Sequence, residues 1–154
     1  MPTIEDKLKD MGLNLPPPPT PVANYLPAIQ ISNLVFLSGH IPRRADGSLV
    51  TGTLGQDYTV EDGYEIAKQI TLSLFASLKD SIGDLDKLKR IVRVSCMVNS
   101  TGDFTQHPLV ANGASDLLVA LLGENGKHAR VAAGMSSLPG GVPVEIEMIV
   151  ELES

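Results

Sequence analysis

The C-terminal end of this 154-residue chain carries an apolar side chain at every second position, and this pattern constrains the fold more than any other. The apolar positions are Val144, Ile146, Met148, Val150 and Leu152, and glutamates occupy 145, 147, 151 and 153 between and beyond them. A period of two is typical of a β-strand with one buried face. The sequence therefore predicts a strand whose apolar side joins the core.

A second alternating segment, residues 129–136, precedes this strand and carries one charged residue, Arg130. A lone arginine among small neighbours indicates either an anion-binding site or a salt bridge. The turn Leu138–Gly141 separates the two segments, so Arg130 and Glu145 become the candidate functional pair. The alternative without a ligand is an ion pair between these two residues, within the sheet or between subunits.

Length and charge limit the classes of function. A chain of 154 residues is expected to form one core. A net charge of −6 and the absence of a basic stripe argue against nucleic acid as a partner. We find no run of eighteen apolar residues and no secretory signal at the N-terminus, so we expect no membrane partner and a cytoplasmic location. The single cysteine, Cys96, is expected to be a core residue, with a catalytic thiol as the alternative.

The chain divides into an N-terminal arm, residues 1–24, and a domain, residues 25–154. In the arm, Thr3 to Met11 has the spacing of a short amphipathic helix, and four consecutive prolines begin at Pro16. The prolines predict a stiff extended segment leading into the domain. The alternative is a ligand for a proline-recognising module.

The domain begins with a predicted β-hairpin, residues 28–31 and 34–37. Gly39, just after the second strand, permits either a β-bulge or the close approach of another backbone or a ligand. Residues 49–51 have the composition of a possible short strand. A helix should follow from a Thr59–Asp62 capping box to Gly83, and another from Pro108 to Gly123. Gly113 inside the second helix indicates tight packing.

Between these helices, residues 91–98 are predicted to form a strand with Val92, Val94, Cys96 and Val98 on one side. The order of elements is therefore hairpin, helix, strand, helix, strand, strand. On the residues alone, the last two strands would pair as a hairpin.

The three histidines, His40, His107 and His128, are scattered without the spacing of metal ligands, so we expect no metal site. His107 is interpreted as a residue at the end of a helix. His128 shares a strand face with Arg130 and is near enough in sequence to reach the same cleft.

Two segments resemble the signature regions of the Rid family, the YjgF-like reactive intermediate deaminases, also called the endoribonuclease L-PSP family. They are YLPAIQISNLVFLSGHIP, residues 25–42, and residues 128–150, in which Ala-Arg opens a strand and Val-Glu-Ile-Glu follows fifteen residues after the arginine. The resemblance implies an α+β, chorismate-mutase-like fold with a mixed sheet and two helices on one face. It also implies a homotrimer with clefts between subunits, and a last strand inserted antiparallel beside earlier strands.

Mapped onto this chain, the resemblance implies that Arg130 binds a substrate carboxylate and that Glu145 positions water. Tyr25, Ser38 and Gly39 fall at pocket-lining positions. The main chain at Ala132 falls at a further contact position. The segment Val131–Met135 and the N-terminal arm depart from the usual family pattern, which indicates a divergent, longer branch.

The activity implied is hydrolytic deamination of small enamine or imine acids, such as 2-iminobutanoate, to 2-oxo acids and ammonia, without a metal or organic cofactor. A guanidinium can hold an α-carboxylate through two hydrogen bonds, and a partly buried carboxylate can orient the attacking water. One alternative is a protein that binds a small carboxylate without catalysis. Another is an endoribonuclease, which the lack of basic and stacking residues disfavours.

Assembly as a trimer needs a contact surface on each subunit. The sheet face opposite the helices is the expected surface, with the small residues Ala132 and Gly134 on it permitting close approach.

Overall fold

Local sequence signals set the ends of the helices and strands in the computed structural model, which describes residues 1–154. The helices are α1 (Ile4–Asp10), α2 (Val60–Ile82) and α3 (His107–Leu122), and the strands are β1 (Ala28–Ile31), β2 (Leu34–His40), β3 (Leu88–Asn99), β4 (Ala129–Met135) and β5 (Val144–Leu152). The predicted Thr59–Asp62 capping box begins α2, and Pro108 lies in the first turn of α3. The predicted order of elements is confirmed.

The five strands form one mixed sheet in the order β1-β2-β5-β3-β4. β5 pairs antiparallel with both β2 and β3, whereas β4 lies at the edge and pairs with β3 in parallel. The hairpin expected for the last two strands from residues alone is therefore wrong. The insertion implied by the family resemblance is confirmed.

One face of the sheet is buried and the other is open. The apolar side of β5 joins the core with residues of all three helices, and α2 and α3 cover this face, which we call the helix face. The glutamates and Ile149 of β5 point to the opposite side, which we call the open face. The prediction of two helices on one face is correct, and α1 is a third helix.

A β-bulge changes the predicted orientation of residues in β3. The pairing with β5 shifts register between Ile91 and Arg93, so two successive residues there oppose one on the partner strand. As a result Ile91, rather than Val92, shares the buried face with Val94. The expectation for Val92 is wrong because strict alternation cannot anticipate a bulge.

Two small residues of β4 also lie on a different face from the one expected. In the parallel register, Ala132 is the partner of Cys96 and Gly134 is the partner of Val98, both of which are buried on the helix face. A side chain at Gly134 would meet His107 on α3. The expectation that Ala132 and Gly134 lie on the sheet face opposite the helices is wrong.

The long segment between β2 and α2 contains no regular strand. Arg43 and Leu49 form an isolated β-bridge, and Leu54 makes two more. The possible strand at residues 49–51 is therefore absent as a strand. Gly39, which precedes this segment in β2, lies where the β2–β5 register shifts between Leu37 and His40, so the β-bulge that the sequence allowed there is present.

The short helix of the N-terminal arm packs against the rest of the protein. Ile4 and Leu8 are part of the buried core, and the Lys7 ammonium donates to the main-chain oxygen of Leu121 over 2.9 Å. Glu5 forms an ion pair with Lys79 on α2. These contacts fix α1 beside α2 and α3.

Cys96 lies on the helix face, in agreement with the prediction that it is a core residue. It is 1% exposed, and burial raises the pKa of its thiol to about 12. None of the helices is both long and apolar enough to cross a membrane.

Close packing of α3 on α2 generates a testable prediction. A Cβ atom at Gly113 would collide with the main-chain carbonyl of Tyr64, which cannot move without distorting α2. We therefore expect Gly113→Ala to destabilise the protein by about 1–3 kcal/mol, in the range for overpacking, measured by urea unfolding. The control is Gly102→Ala, where the added methyl group meets no atom within 4 Å. Equal stability of the two variants would contradict the prediction.

Candidate functional site

Arg130 lies on the edge strand β4 and reaches across to α3. Its Nη1 donates to Asn112 Oδ1 over 2.8 Å and to Ser115 Oγ over 3.1 Å. Asn112 and Ser115 are three residues apart, so they lie on the same side of the helix. Arg130 is exposed and has no carboxylate within salt-bridge distance.

These two contacts leave a defined part of the guanidinium free. A guanidinium carries five N–H groups, and the two on Nη1 are those that point to α3. The hydrogens on Nη2 and Nε have no protein acceptor. The Nε–Nη2 edge presents two parallel donors, which match the two oxygens of a carboxylate.

Glu145 is half-buried on the open face in β5, beside Gly39 of β2. A Cβ atom at Gly39 would collide with Glu145 Oε2, so any larger residue there would displace the carboxylate from this position. No cation forms an ion pair with Glu145. The structure therefore brings Gly39 and Glu145 together, as two of the predicted site residues.

The surroundings of Glu145 change its acidity. Burial raises the pKa of its carboxyl group above the ordinary value of 4.5, and the negative charge of Glu147 on the same strand adds to the effect. A carboxylate with a raised pKa is a stronger base than an ordinary one. This is the property required of a group that takes a proton from water.

Tyr25 and Ser38 line a pocket of about 600 Å³ on the open face. Its walls are largely apolar, with Phe36 and Ile149 among them, and Arg93 also lines it. The Ser38 hydroxyl donates to the main-chain oxygen of Leu26 over 2.5 Å, so its oxygen is left as an acceptor. A larger pocket, about 710 Å³, lies between the N-terminal arm and α2 and contains none of the predicted site residues.

The six predicted residues form two separate groups. Arg130 and Ala132 lie on the helix face of the edge strand, whereas the open face carries Tyr25, Ser38, Gly39 and Glu145. Met97 is paired with both Ala133 and Glu145, which places Arg130 two strands and three residues away from Glu145. The Cα atoms of Arg130 and Glu145 are thus roughly 14 Å apart, given standard strand spacing and rise. Within one copy of the chain, these two residues are neither an ion pair nor parts of one cleft.

His128 reaches the surroundings of Arg130, as its position in the sequence suggested. Its Nε2 lies 2.9 Å from Ser115 Oγ, and its Nδ1 lies 2.7 Å from the main-chain oxygen of Gly126. His107 begins α3 and contacts Ser100, in agreement with its interpretation as a helix-end residue. No group of three or more histidine, cysteine, aspartate or glutamate residues is arranged to hold a metal ion.

Sequence reasoning missed Asn112 and Ser115. Both lie in α3 between the leucines and alanines that pack on the sheet. The available signal was their spacing of three residues in a mostly apolar helix, which predicts two polar groups on one side. Without the strand register, nothing in the sequence shows that this side faces Arg130.

The raised pKa of Glu145 predicts how stability depends on pH. The folded protein holds the Glu145 proton more tightly than the unfolded chain, so ionisation of this group costs stability as the pH rises from about 4.5 through the raised value. Glu145→Gln should therefore be more stable than wild type at pH 7, by less than about 1 kcal/mol because solvent screens a half-exposed group. The gain should vanish below pH 4 in thermal unfolding.

Glu153→Gln is the matched control because it removes the same charge from an exposed position just beyond β5. If both variants shift the unfolding temperature equally at every pH, the effect is one of net charge and not of burial at Glu145.

Comparison with known proteins is consistent with this fold and arrangement. Residues 5–151 match the family described as "YjgF/chorismate mutase-like, putative endoribonuclease". The chain is 38% identical to Protein TCP17 of Trypanosoma cruzi, with 98% of this chain and 95% of that protein covered. It is also 26% identical to the 2-iminobutanoate/2-iminopropanoate deaminase of Dermatophagoides farinae, over 92% of this chain and 95% of that protein.

A solved structure supports the same assignment. The protein Atu1372 of Agrobacterium tumefaciens, of unknown function, superimposes with a TM-score of 0.89 at 39% identity, covering 98% of this chain and 94% of that one. The family match spans nearly the whole chain, and the strand order and the two signature segments agree with it. This chain therefore belongs to the YjgF-like, or Rid, family.

Proposed function

We propose that this protein hydrolyses small enamine or imine acids, of the 2-iminobutanoate type, to 2-oxo acids and ammonia. The observation that carries the proposal is the free Nε–Nη2 edge of Arg130, held in place from the Nη1 side by α3. A preorganised pair of charged donors on an exposed strand is suited to a small organic carboxylate. The name of the Dermatophagoides relative supplies the substrate class.

Arg130 binds the carboxylate and so fixes the adjacent C=N carbon. Because the guanidinium is planar and anchored, the carboxylate that it binds has one orientation. The imine carbon then lies one bond beyond the carboxylate, where water must attack. Glu145 orients that water and accepts its proton, and the raised pKa of its carboxyl group suits this role.

The reaction balances without any further reagent. The water oxygen forms a bond to the imine carbon while the C=N double bond becomes a single bond, and one water proton passes to Glu145. The proton then moves from Glu145 to the nitrogen. The remaining hydroxyl gives its proton to Glu145, which passes it to the nitrogen; the oxygen becomes the carbonyl as the C–N bond breaks, releasing ammonia and a 2-oxo acid.

Two copies of the chain are needed to build this site, because Arg130 and Glu145 lie on opposite faces of the sheet. We therefore propose that Arg130 and Ala132 of one copy face Tyr25, Ser38, Gly39 and Glu145 of another, within a homotrimer. The open face supports such an assembly, since four large apolar side chains on it are 39–62% exposed: Ile29, Ile31, Phe36 and Val131. Exposed apolar patches of this kind usually mark contact surfaces.

Removal of the guanidinium should abolish most of the activity. With 2-iminobutanoate generated enzymatically in the assay, we expect Arg130→Ala to lower kcat/KM by about 100-fold and Arg130→Lys by about tenfold, since lysine keeps the charge without the paired donors. Ammonia release measures the rate. Arg90→Ala, which removes an exposed arginine from β3, is the control and should retain wild-type activity.

The same assay separates catalysis from binding alone. If wild type does not accelerate ammonia release but binds 2-oxobutanoate in an Arg130-dependent manner, the protein is a carboxylate-binding protein and the catalytic proposal is wrong.

A subunit-mixing experiment tests the shared site. Arg130→Ala and Glu145→Gln should each retain very little activity, but trimers refolded from an equal mixture should contain some clefts with one intact Arg130 and one intact Glu145. Random assembly gives about one quarter of the wild-type activity, because each cleft draws its two residues from different copies. A mixture that stays as inactive as its two components would show that no such shared cleft exists.

A further inference from the structure

Ser115 and His128 form a hydrogen-bonded pair directly behind the Arg130 guanidinium. Ser115 Oγ lies 3.1 Å from Arg130 Nη1 and 2.9 Å from His128 Nε2. The other ring nitrogen of His128, Nδ1, lies 2.7 Å from the main-chain oxygen of Gly126. A continuous chain of hydrogen bonds therefore runs from the main chain at residue 126 to the guanidinium.

The direction of each bond in this chain follows from the chemistry of its ends. A carbonyl oxygen only accepts, so the bond to Gly126 requires hydrogen on His128 Nδ1, and Nε2 of the neutral ring is then an acceptor. The Ser115 hydroxyl consequently donates to His128. The lone pairs of the Ser115 oxygen remain free to accept a hydrogen bond from Arg130, whose guanidinium only donates.

The far end of this chain is fixed by close packing. Gly126 is buried, and a Cβ atom there would collide with the main-chain oxygen of Leu118 on α3. The Gly126 carbonyl therefore cannot shift without moving the helix that also carries Ser115. The imidazole of His128 is therefore held between the Gly126 carbonyl and the Ser115 hydroxyl, which belong to one rigid unit built on α3.

We propose that Ser115 and His128 are positioning residues that fix the orientation of the Arg130 guanidinium and thereby give the site its selectivity for a carboxylate. Ser115 binds one Nη1 hydrogen while Asn112 binds the other, so the guanidinium plane cannot rotate and the Nε–Nη2 edge faces outward. The role in selectivity rests on the proposed function. The role in orientation does not.

The orientation of the side chain is measured first, without substrate. In the wild-type protein, the ¹H–¹⁵N heteronuclear NOE of the Arg130 Nε–H group should be high, as for an ordered group. We expect Ser115→Ala to lower it toward the values of a mobile arginine, with the other four arginines of the same spectrum as internal references. An unchanged NOE in Ser115→Ala would overturn the inference, whatever the activity of the protein.

Two substitutions of His128 test its two hydrogen bonds separately. A glutamine side chain reaches as far as Nε2 and can accept from Ser115, whereas asparagine reaches only Nδ1 and can donate to Gly126 but not accept from Ser115. We therefore expect His128→Gln to keep the wild-type NOE and His128→Asn to behave like Ser115→Ala. A general loss of structure would affect both variants alike and would overturn the assigned role.

Selectivity is measured by comparing the affinities for 2-oxobutanoate and its uncharged analogue 2-oxobutanamide by calorimetry. Ser115→Ala should weaken carboxylate binding by about fivefold, as for loss of one hydrogen bond, and leave amide binding unchanged. The double variant Ser115→Ala/His128→Asn should be no worse than either single variant, because both break the same chain.

The two proposals fail in different ways. If wild type neither binds 2-oxobutanoate nor releases ammonia, the proposed function is wrong, and the NOE still decides the orientation. If wild type binds the carboxylate but Ser115→Ala weakens both ligands equally, the function stands and the positioning role for selectivity is wrong.

Discussion

The insertion of β5, the last strand of the chain, between β2 and β3 determines where every candidate functional group lies. Because β5 occupies the centre of the sheet, β4 is left at the edge with only β3 as a neighbour. An edge position leaves Arg130 accessible from the side while α3 supports it from the helix face. The same insertion buries half of Glu145 between neighbouring strands, and this burial raises the pKa of its carboxyl group. A hairpin of β4 and β5 would have produced neither environment.

Much of this architecture can be predicted from the sequence because its signals are local. The capping box at Thr59, the proline at the start of α3 and the alternation in β5 each specify an element through contacts within a few residues. The order of the strands in the sheet is not local, and it followed only from the resemblance to a family. The errors at Val92 and at Ala132 have this same origin. A bulge or a parallel register decides which face a side chain occupies, and neither can be recognised from the sequence of a single segment.

The candidate site shows the same division between local and non-local information. Arg130 and Glu145 stand out in the sequence as residue types, but their separation onto opposite faces depends on how three strands align. Asn112 and Ser115, the direct partners of Arg130, are inconspicuous as residue types and were missed. Gly39 and Gly126 are further examples, since a Cβ atom at each would collide with an atom from a distant segment: the Glu145 carboxylate and the α3 main chain. Such requirements become visible only when the segments are assembled.

The way in which Arg130 is held explains why arginine, rather than lysine, suits this position. An ammonium group directs its three hydrogens from a single nitrogen, so every hydrogen bond to the protein reduces what remains for a ligand. A guanidinium spreads five hydrogens over three nitrogens. Here α3 engages only Nη1, and the opposite edge keeps two parallel donors in a fixed plane. Support from one side and recognition on the other are thus separated within one side chain. That separation requires acceptors without negative charge behind the guanidinium, because a carboxylate there would neutralise the charge that the ligand must meet. An amide and a hydroxyl, the groups supplied by Asn112 and Ser115, meet this requirement.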